Sequence, residues 1–100
     1  MQDLSPLAKA LAAATGPDTG LDALIAASLD QKMADYSGSV DRCGRLVATL
    51  LADWHLHVGF GGSGVFPYAT LSRGEERAEA EAPTVPLAIL RATIMALAII

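Results

Sequence analysis

A single cysteine, Cys43, occurs among the hundred residues. No intramolecular disulfide framework can form, and a reducing cytosol suits the chain better than secretion. Positive charge is scarce and dispersed. The seven basic residues, Lys9, Lys32, Arg42, Arg45, Arg73, Arg77 and Arg91, are scattered, and the net charge is −4 with a pI near 4.8. Nothing here concentrates the positive field that phosphate-backbone binding requires. Long apolar runs are missing too. The best candidate, residues 85–100, contains Pro86 and carries Arg91 near its middle. It falls short of the about 20 apolar residues that span a bilayer, so a buried core helix is expected there and no membrane partner. The start, Met1-Gln2-Asp3-Leu4-Ser5-Pro6, has no basic region leading into an apolar segment and does not read as a secretory signal. There is no internal repeat and no H-x-x-E, C-x-x-C or H-E-x-x-H spacing.

What is present is 52% hydrophobic residues, enough for a single domain over residues 1–100 with a real core. Leu4, Leu7 and Leu11 recur on one helical face, with Ser5 and Pro6 as N-cap and first residue and Gly16-Pro17 as a stop, which predicts a helix over 4–16. Asp18 or Thr19 can cap a second helix over 19–29, in which Leu21, Leu24, Ile25 and Leu29 share a face. The short connection predicts an antiparallel helical pair. After a loop from Asp30 to Ser37, the residues Val40, Cys43, Val47, Leu50 and Leu51 mark a third helix over 38–52, capped by Ser37 or Ser39, with Asp41 complementing its dipole. Cys43 sits on the apolar stripe as a small core residue, since nothing near it in sequence lowers a thiol pKa.

From Trp54 the period changes to two. Trp54, Leu56, Val58 and Phe60 fall on one side of an extended chain and His55, His57 and Gly59 on the other, ahead of Gly61-Gly62-Ser63-Gly64. Strands are predicted over 54–60, 65–72 and 77–82. A loop at 61–64 would pair Phe60 with Val65, Val58 with Pro67, Leu56 with Ala69 and Trp54 with Leu71, setting His57 opposite Tyr68 and His55 opposite Thr70. A turn at Arg73-Gly74-Glu75-Glu76 would match Leu71 with Ala78, Ala69 with Ala80 and Pro67 with Ala82. Pro67, which cannot donate to a ladder, then lies at the sheet's end or in a bulge. The last helix, 85–99, is apolar on nearly every side (Leu87, Ile89, Leu90, Ile94, Met95, Leu97) and must pack on the sheet and on a second element, either another helix or another subunit.

Several segments together carry a resemblance: Leu11-Ala12-Ala13-Ala14-Thr15-Gly16-Pro17-Asp18, then Leu21-Asp22-Ala23-Leu24-Ile25-Ala26, then Tyr36 leading to Ser39-Val40-Asp41, Trp54 with its glycine-containing hairpin, and the proline-initiated C-terminal helix. The chain resembles the phage ABA sandwich domain family, small proteins of bacteriophages and prophages. The resemblance implies an α/β/α layered fold and a phage origin; with the strands predicted above, the expectation is an α+β fold, a small α/β/α layered sandwich with a three-stranded antiparallel meander, set in the cytoplasm of a bacterial host. It brings no catalytic or binding residues with it. In place of the family's usual Thr-Pro, this chain opens its last helix with Val85-Pro86, and Arg91 stands where a small residue or cysteine is usual.

The candidate sites are few. His55 and His57 form an H-x-H pair on one strand face, a spacing that lets two imidazoles reach one metal, with Glu79 or Glu81 as a distant third ligand; polar strand residues are the plainer reading. Ser63 within its glycines imitates a nucleophile elbow, and the glycines a phosphate loop, yet both motifs require a helix to follow and here a strand does. Glu75, Glu76, Glu79 and Glu81, all the glutamates of the chain, crowd into seven residues. They read as a solvated turn and charge-protected edge, or as an acidic strip that docks on a basic partner. The expectation is therefore a non-enzymatic phage or prophage accessory protein without a cofactor. It would act by contact with a host or phage protein, for instance as an inhibitor of a host defence system, with self-association through the C-terminal helix as a further possibility. The alternative is a small metal-binding protein or hydrolase using His55 and His57. Helix, three strands, helix is also the order of double-stranded RNA-binding domains, but the acidic pI makes nucleic acid a poor partner.

Overall fold

A computed structural model describes residues 3–61 and 65–100. Helix α1 is Ser5–Ala13, with Pro6 in its first turn and Leu7 and Leu11 buried. The Asp3 carboxylate accepts from the Ser5 N–H at 3.0 Å, which holds its pKa below the usual carboxylate value. The helix ends three residues before the expected Gly16. The carbonyls of Leu11 and Ala12 accept from the Arg91 guanidinium at 2.9 and 3.2 Å, and that of Leu11 also takes the Ala14 N–H at 3.3 Å in the closing turn.

Helix α2 is Thr19–Ser28, capped by Asp18, whose side chain accepts from the Leu21 N–H. It closes with Asp30 in the left-handed region at φ 54 and a Gln31 N–H bond to the Ala26 carbonyl, the hydrogen bond of a Schellman turn with aspartate where glycine is usual. The expected loop contains a short 3₁₀ turn, Tyr36–Gly38. Helix α3 is Val40–Leu50, and of the two candidate caps Ser39 is the one used. Cys43, Leu46 and Val47 are its buried residues, whereas Val40, placed on the stripe by periodicity, is exposed at the first turn.

Strands β1, His55–Phe60, β2, Pro67–Arg73, and β3, Glu76–Glu81, form an antiparallel sheet in the order β1-β2-β3. The β2/β3 register is the expected one, with Leu71 opposite Ala78 and Ala69 opposite Ala80. Gly74, at φ +59, supplies the positive angle that the two-residue hairpin needs. The Ala82 N–H reaches the Pro67 carbonyl at 3.2 Å, so proline opens its strand at the end of the ladder.

The β1/β2 register differs from expectation by two residues: Phe60 faces Pro67, Val58 faces Ala69, and His57 faces Thr70. A shift of two leaves every side chain on its own face, so alternation alone does not distinguish the registers. The longer connection puts Val65 and Phe66 outside the strand. Gly62, Ser63 and Gly64, the core of the expected four-residue turn, lie outside the described residues.

Helix α4, Val85–Ile99, is capped by Thr84, whose hydroxyl accepts from the Leu87 N–H. One side of α4 packs on β2 and β3, and other sides meet α1, α3 and the 3₁₀ turn. This explains a helix apolar almost all round: Leu87, Ile89, Leu90, Ala92 and Ala96 are sealed between a sheet and a helical layer of the same chain. Its large exposed apolar residues are Met95 and Ile99, followed by Ile100 just past its end. The α+β class and the meander are as expected. The layers stack as sheet, then α4, then the other helices, so the helical material gathers on one face of the sheet. No helix among the described residues is long and apolar enough to cross a membrane.

Candidate functional site

The opposite face of the sheet carries His55, His57 and Gly59 from β1, Tyr68, Thr70 and Ser72 from β2, and Arg77, Glu79 and Glu81 from β3, by strict alternation within the observed registers. Five of these side chains, His55, His57, Arg77, Glu79 and Glu81, are exposed. Two polar pairs order the middle. The Thr70 hydroxyl donates to Glu79 Oε1 at 2.9 Å, and the same oxygen accepts from Arg77 Nη2 at 2.9 Å. The Arg77 bond and then the Thr70 bond hold the Glu79 carboxyl below its ordinary pKa. Beside them Tyr68 Oη and His57 Nε2 lie 3.2 Å apart, with ring centroids at 5.8 Å. Tyr68 is diagonal to His57 and directly opposite Gly59, and its ring lies across that glycine. A Cβ at position 59 would meet Tyr68 Oη at 3.0 Å.

The structure divides the four glutamates. Glu79 and Glu81 stand on the open face. Glu76 points to the helical side, where Arg73 donates to it through Nε at 2.8 Å and also reaches Asp53 at 3.2 Å, with its guanidinium 4.9 Å over the Trp54 ring. These carboxylates raise the Arg73 pKa, that of Glu76 foremost. Glu75 occupies the turn. The acidic run is thus a pair on one face, an ion-paired residue on the other, and a turn residue. His55 and His57 share the open face as expected, but no group of three or more His, Cys, Asp or Glu side chains among the described residues is placed to hold a metal ion.

The Gly-Pro-Asp and Leu-Asp-Ala segments have a structural task that their spacing alone does not reveal. Ser37, fully buried, donates its N–H to Asp22 Oδ1 at 2.7 Å, accepts from the Asp18 N–H at 2.8 Å and donates its hydroxyl to the Asp18 carbonyl at 3.2 Å. The Tyr36 hydroxyl donates to the Lys32 carbonyl, and its own carbonyl accepts from Cys43 Sγ at 3.0 Å. This network fastens the 3₁₀ turn to the start of α2 and to α3. Burial, followed by the Asp22 and Asp35 carboxylates, pushes the Cys43 thiol up to about 12, which makes it an inert core residue.

Arg91 is likewise committed. Besides Leu11 and Ala12 it donates to the carbonyls of Ala14 and Glu81, tying α4 to the end of α1 and to the end of β3. Beside it a shallow apolar groove lined by Ala8, Leu11, Ala80, Ile94 and Met95 runs between α1 and α4. No protein-family model matches the chain, and no curated protein and no solved structure is significantly similar to it.

Proposed function

We propose that the chain is a non-enzymatic phage or prophage accessory protein of the bacterial cytoplasm, working by contact between the open face of its sheet and a protein partner, a host defence protein being the leading class. The phage setting rests on the resemblance of the Ala-Thr-Gly-Pro-Asp and Leu-Asp-Ala segments. The observation that carries the contact surface is the one-sided packing of the sheet. Its uncovered face presents polar side chains already oriented by one another, Glu79 by Thr70 and Arg77, and Tyr68 by His57. Fixing such groups before contact lowers the ordering cost of association. The carboxylates of Glu79 and Glu81 favour a partner with a basic surface and hasten encounter.

The test is cross-linked capture from host lysate with the parent chain and with Glu79→Lys/Glu81→Lys. A specific protein recovered by the parent and reduced at least about tenfold by the double reversal supports the reading. Equal recovery removes the open face from the contact, and repeated failure to recover any specific protein removes the reading itself.

A further inference from the structure

The two outer strands of the sheet are protected very differently. Along β3, Glu76, Arg77, Glu79 and Glu81 place charge on four of six positions, the usual defence of a strand edge. Along β1, His-Leu-His-Val-Gly-Phe, there is no lysine, no carboxylate and no proline, and its six consecutive pairs with β2 leave no bulge. Helix α4 rests on β2 and β3. Leu56 and Val58 are consequently only half-buried, and Phe60 is 68% exposed.

The ladder shows what this edge offers. The Pro67 carbonyl faces β3, so by the alternation of an antiparallel pair Ala69 and Leu71 also face β3, while Tyr68, Thr70 and Ser72 bond to β1. Their partners Gly59, His57 and His55 are thereby used internally. The N–H and C=O groups of Leu56, Val58 and Phe60 point away from the sheet, and these are the same three residues that carry its under-covered apolar face.

We propose that this edge pairs with β1 of a second copy, antiparallel about a two-fold axis through Val58, to give a continuous six-stranded sheet. In that register Val58 faces Val58 of the second copy, and Leu56 faces Phe60 of the second copy twice over. All three outward residues of each strand are then hydrogen-bonded and every apolar side chain on that side meets another. His57 faces Gly59 of the second copy, which leaves room for the imidazole. The neighbouring register, centred on His57, would set the two imidazoles against each other and leave Phe60 unpaired. An edge without formal charge is matched to a neutral strand, and β1 itself is such a strand. With six residues a side, against about 20–30 in a standard interface, the dimer is weak, with Kd on the order of 100 µM. This proposal stands apart from the functional one, because it concerns the edge rather than the open face.

Sedimentation velocity up to about 1 mM protein tests it. The parent chain should dimerise with concentration, and both Phe60→Lys and Val58→Pro should raise Kd at least about tenfold. Phe60→Lys changes a mostly exposed side chain and preserves the fold. Val58→Pro deletes an N–H that β2 does not use. In a mixed labelled and unlabelled sample, an intermolecular contact between the His57 and Gly59 α-protons should report the register. A parent chain that stays monomeric overturns the proposal, as does a dimer that neither variant weakens. A dimer showing a His57 to His57 contact overturns the register. A monomer that binds a neutral Thr/Val-alternating peptide along β1 overturns the second copy as occupant in favour of a foreign strand.

Discussion

Thr70 and Leu71 are neighbours in β2, both withdrawn from solvent, and they face opposite sides of one sheet. Leu71 enters a layer where Ala69, Ala78 and Leu87 are also sealed and where small alanines let α4 approach closely. Thr70 is shielded by neighbouring side chains on a face that no helix among the described residues covers, and its hydroxyl is satisfied by Glu79. Burial on the first side arises from apolar packing, and on the second from polar side chains lying over one another. Only the first kind carries much of the stability, because apolar area removed from water stabilises at about 25 cal/mol per Å2, whereas a partly exposed hydrogen bond replaces one with water.

The largest test of that contrast is the pair of substitutions at these neighbours. Leu71→Ala should cost about 2–5 kcal/mol, since α4 and the sheet close only partly over the space. Thr70→Val keeps the β-branched shape and should cost about 1 kcal/mol or less, because Glu79 retains Arg77 and solvent. Urea unfolding of the two variants measures both. Equal losses would break the distinction between the faces.

The two sides should also respond at opposite ends of the pH scale. Cys43 lies inside the helical side, and its raised thiol pKa means that the folded state holds the proton more tightly than the unfolded one. Its contribution is complete below the ordinary 9.0 and declines as pH rises toward about 12. The stability gap between the parent and Cys43→Ala should therefore narrow above pH 9. Glu79, on the open face, has a lowered pKa. Its contribution is present above the ordinary carboxyl value and is lost as pH falls through the folded value, so Glu79→Gln should flatten the acid limb and leave the alkaline limb unchanged. The Glu79 effect is the smaller of the two because its site is open to water.

Much of this arrangement is legible in the sequence, and what escapes has definite physical causes. The β2/β3 register follows from Gly74 and the alanine alternation, which admit only one matching. The β1/β2 register does not, because slipping by two preserves both faces. The one-sided packing had a signal: once β3 is aligned, His55, His57, Arg77, Glu79 and Glu81 all fall on one face, a combination suited to water rather than to a covering helix. The early stop of α1 had none, since Arg91 lies 80 residues from Leu11. The same holds for the bond from Ser37 to Asp22. Long-range polar contacts of this kind leave no periodicity. The acidic run, which reads as one strip in sequence, is divided in space for a local reason: Glu75 lies in the hairpin turn, and the alternation of β3 sends Glu76 to the face opposite Glu79 and Glu81.

The smallest expected effect lies where the open face is most closely packed. At Gly59 an added methyl would lie 3.0 to 3.2 Å from the Tyr68 hydroxyl and ring, tight enough that the ring must give by a few tenths of an ångström. Alanine at this position also reduces the freedom of the unfolded chain, which favours folding by about 0.4–1 kcal/mol where the backbone is compatible. The two terms oppose one another, and Tyr68 is a side chain on an uncovered face that is free to tilt. Gly59→Ala should therefore change stability by less than about 1 kcal/mol while separating Tyr68 from His57. The His57 ring resonances should move although the unfolding midpoint barely does. A loss as large as that of Leu71→Ala would mean that Tyr68 is held as rigidly as the core, and the open face would then have to be counted as a second packed layer.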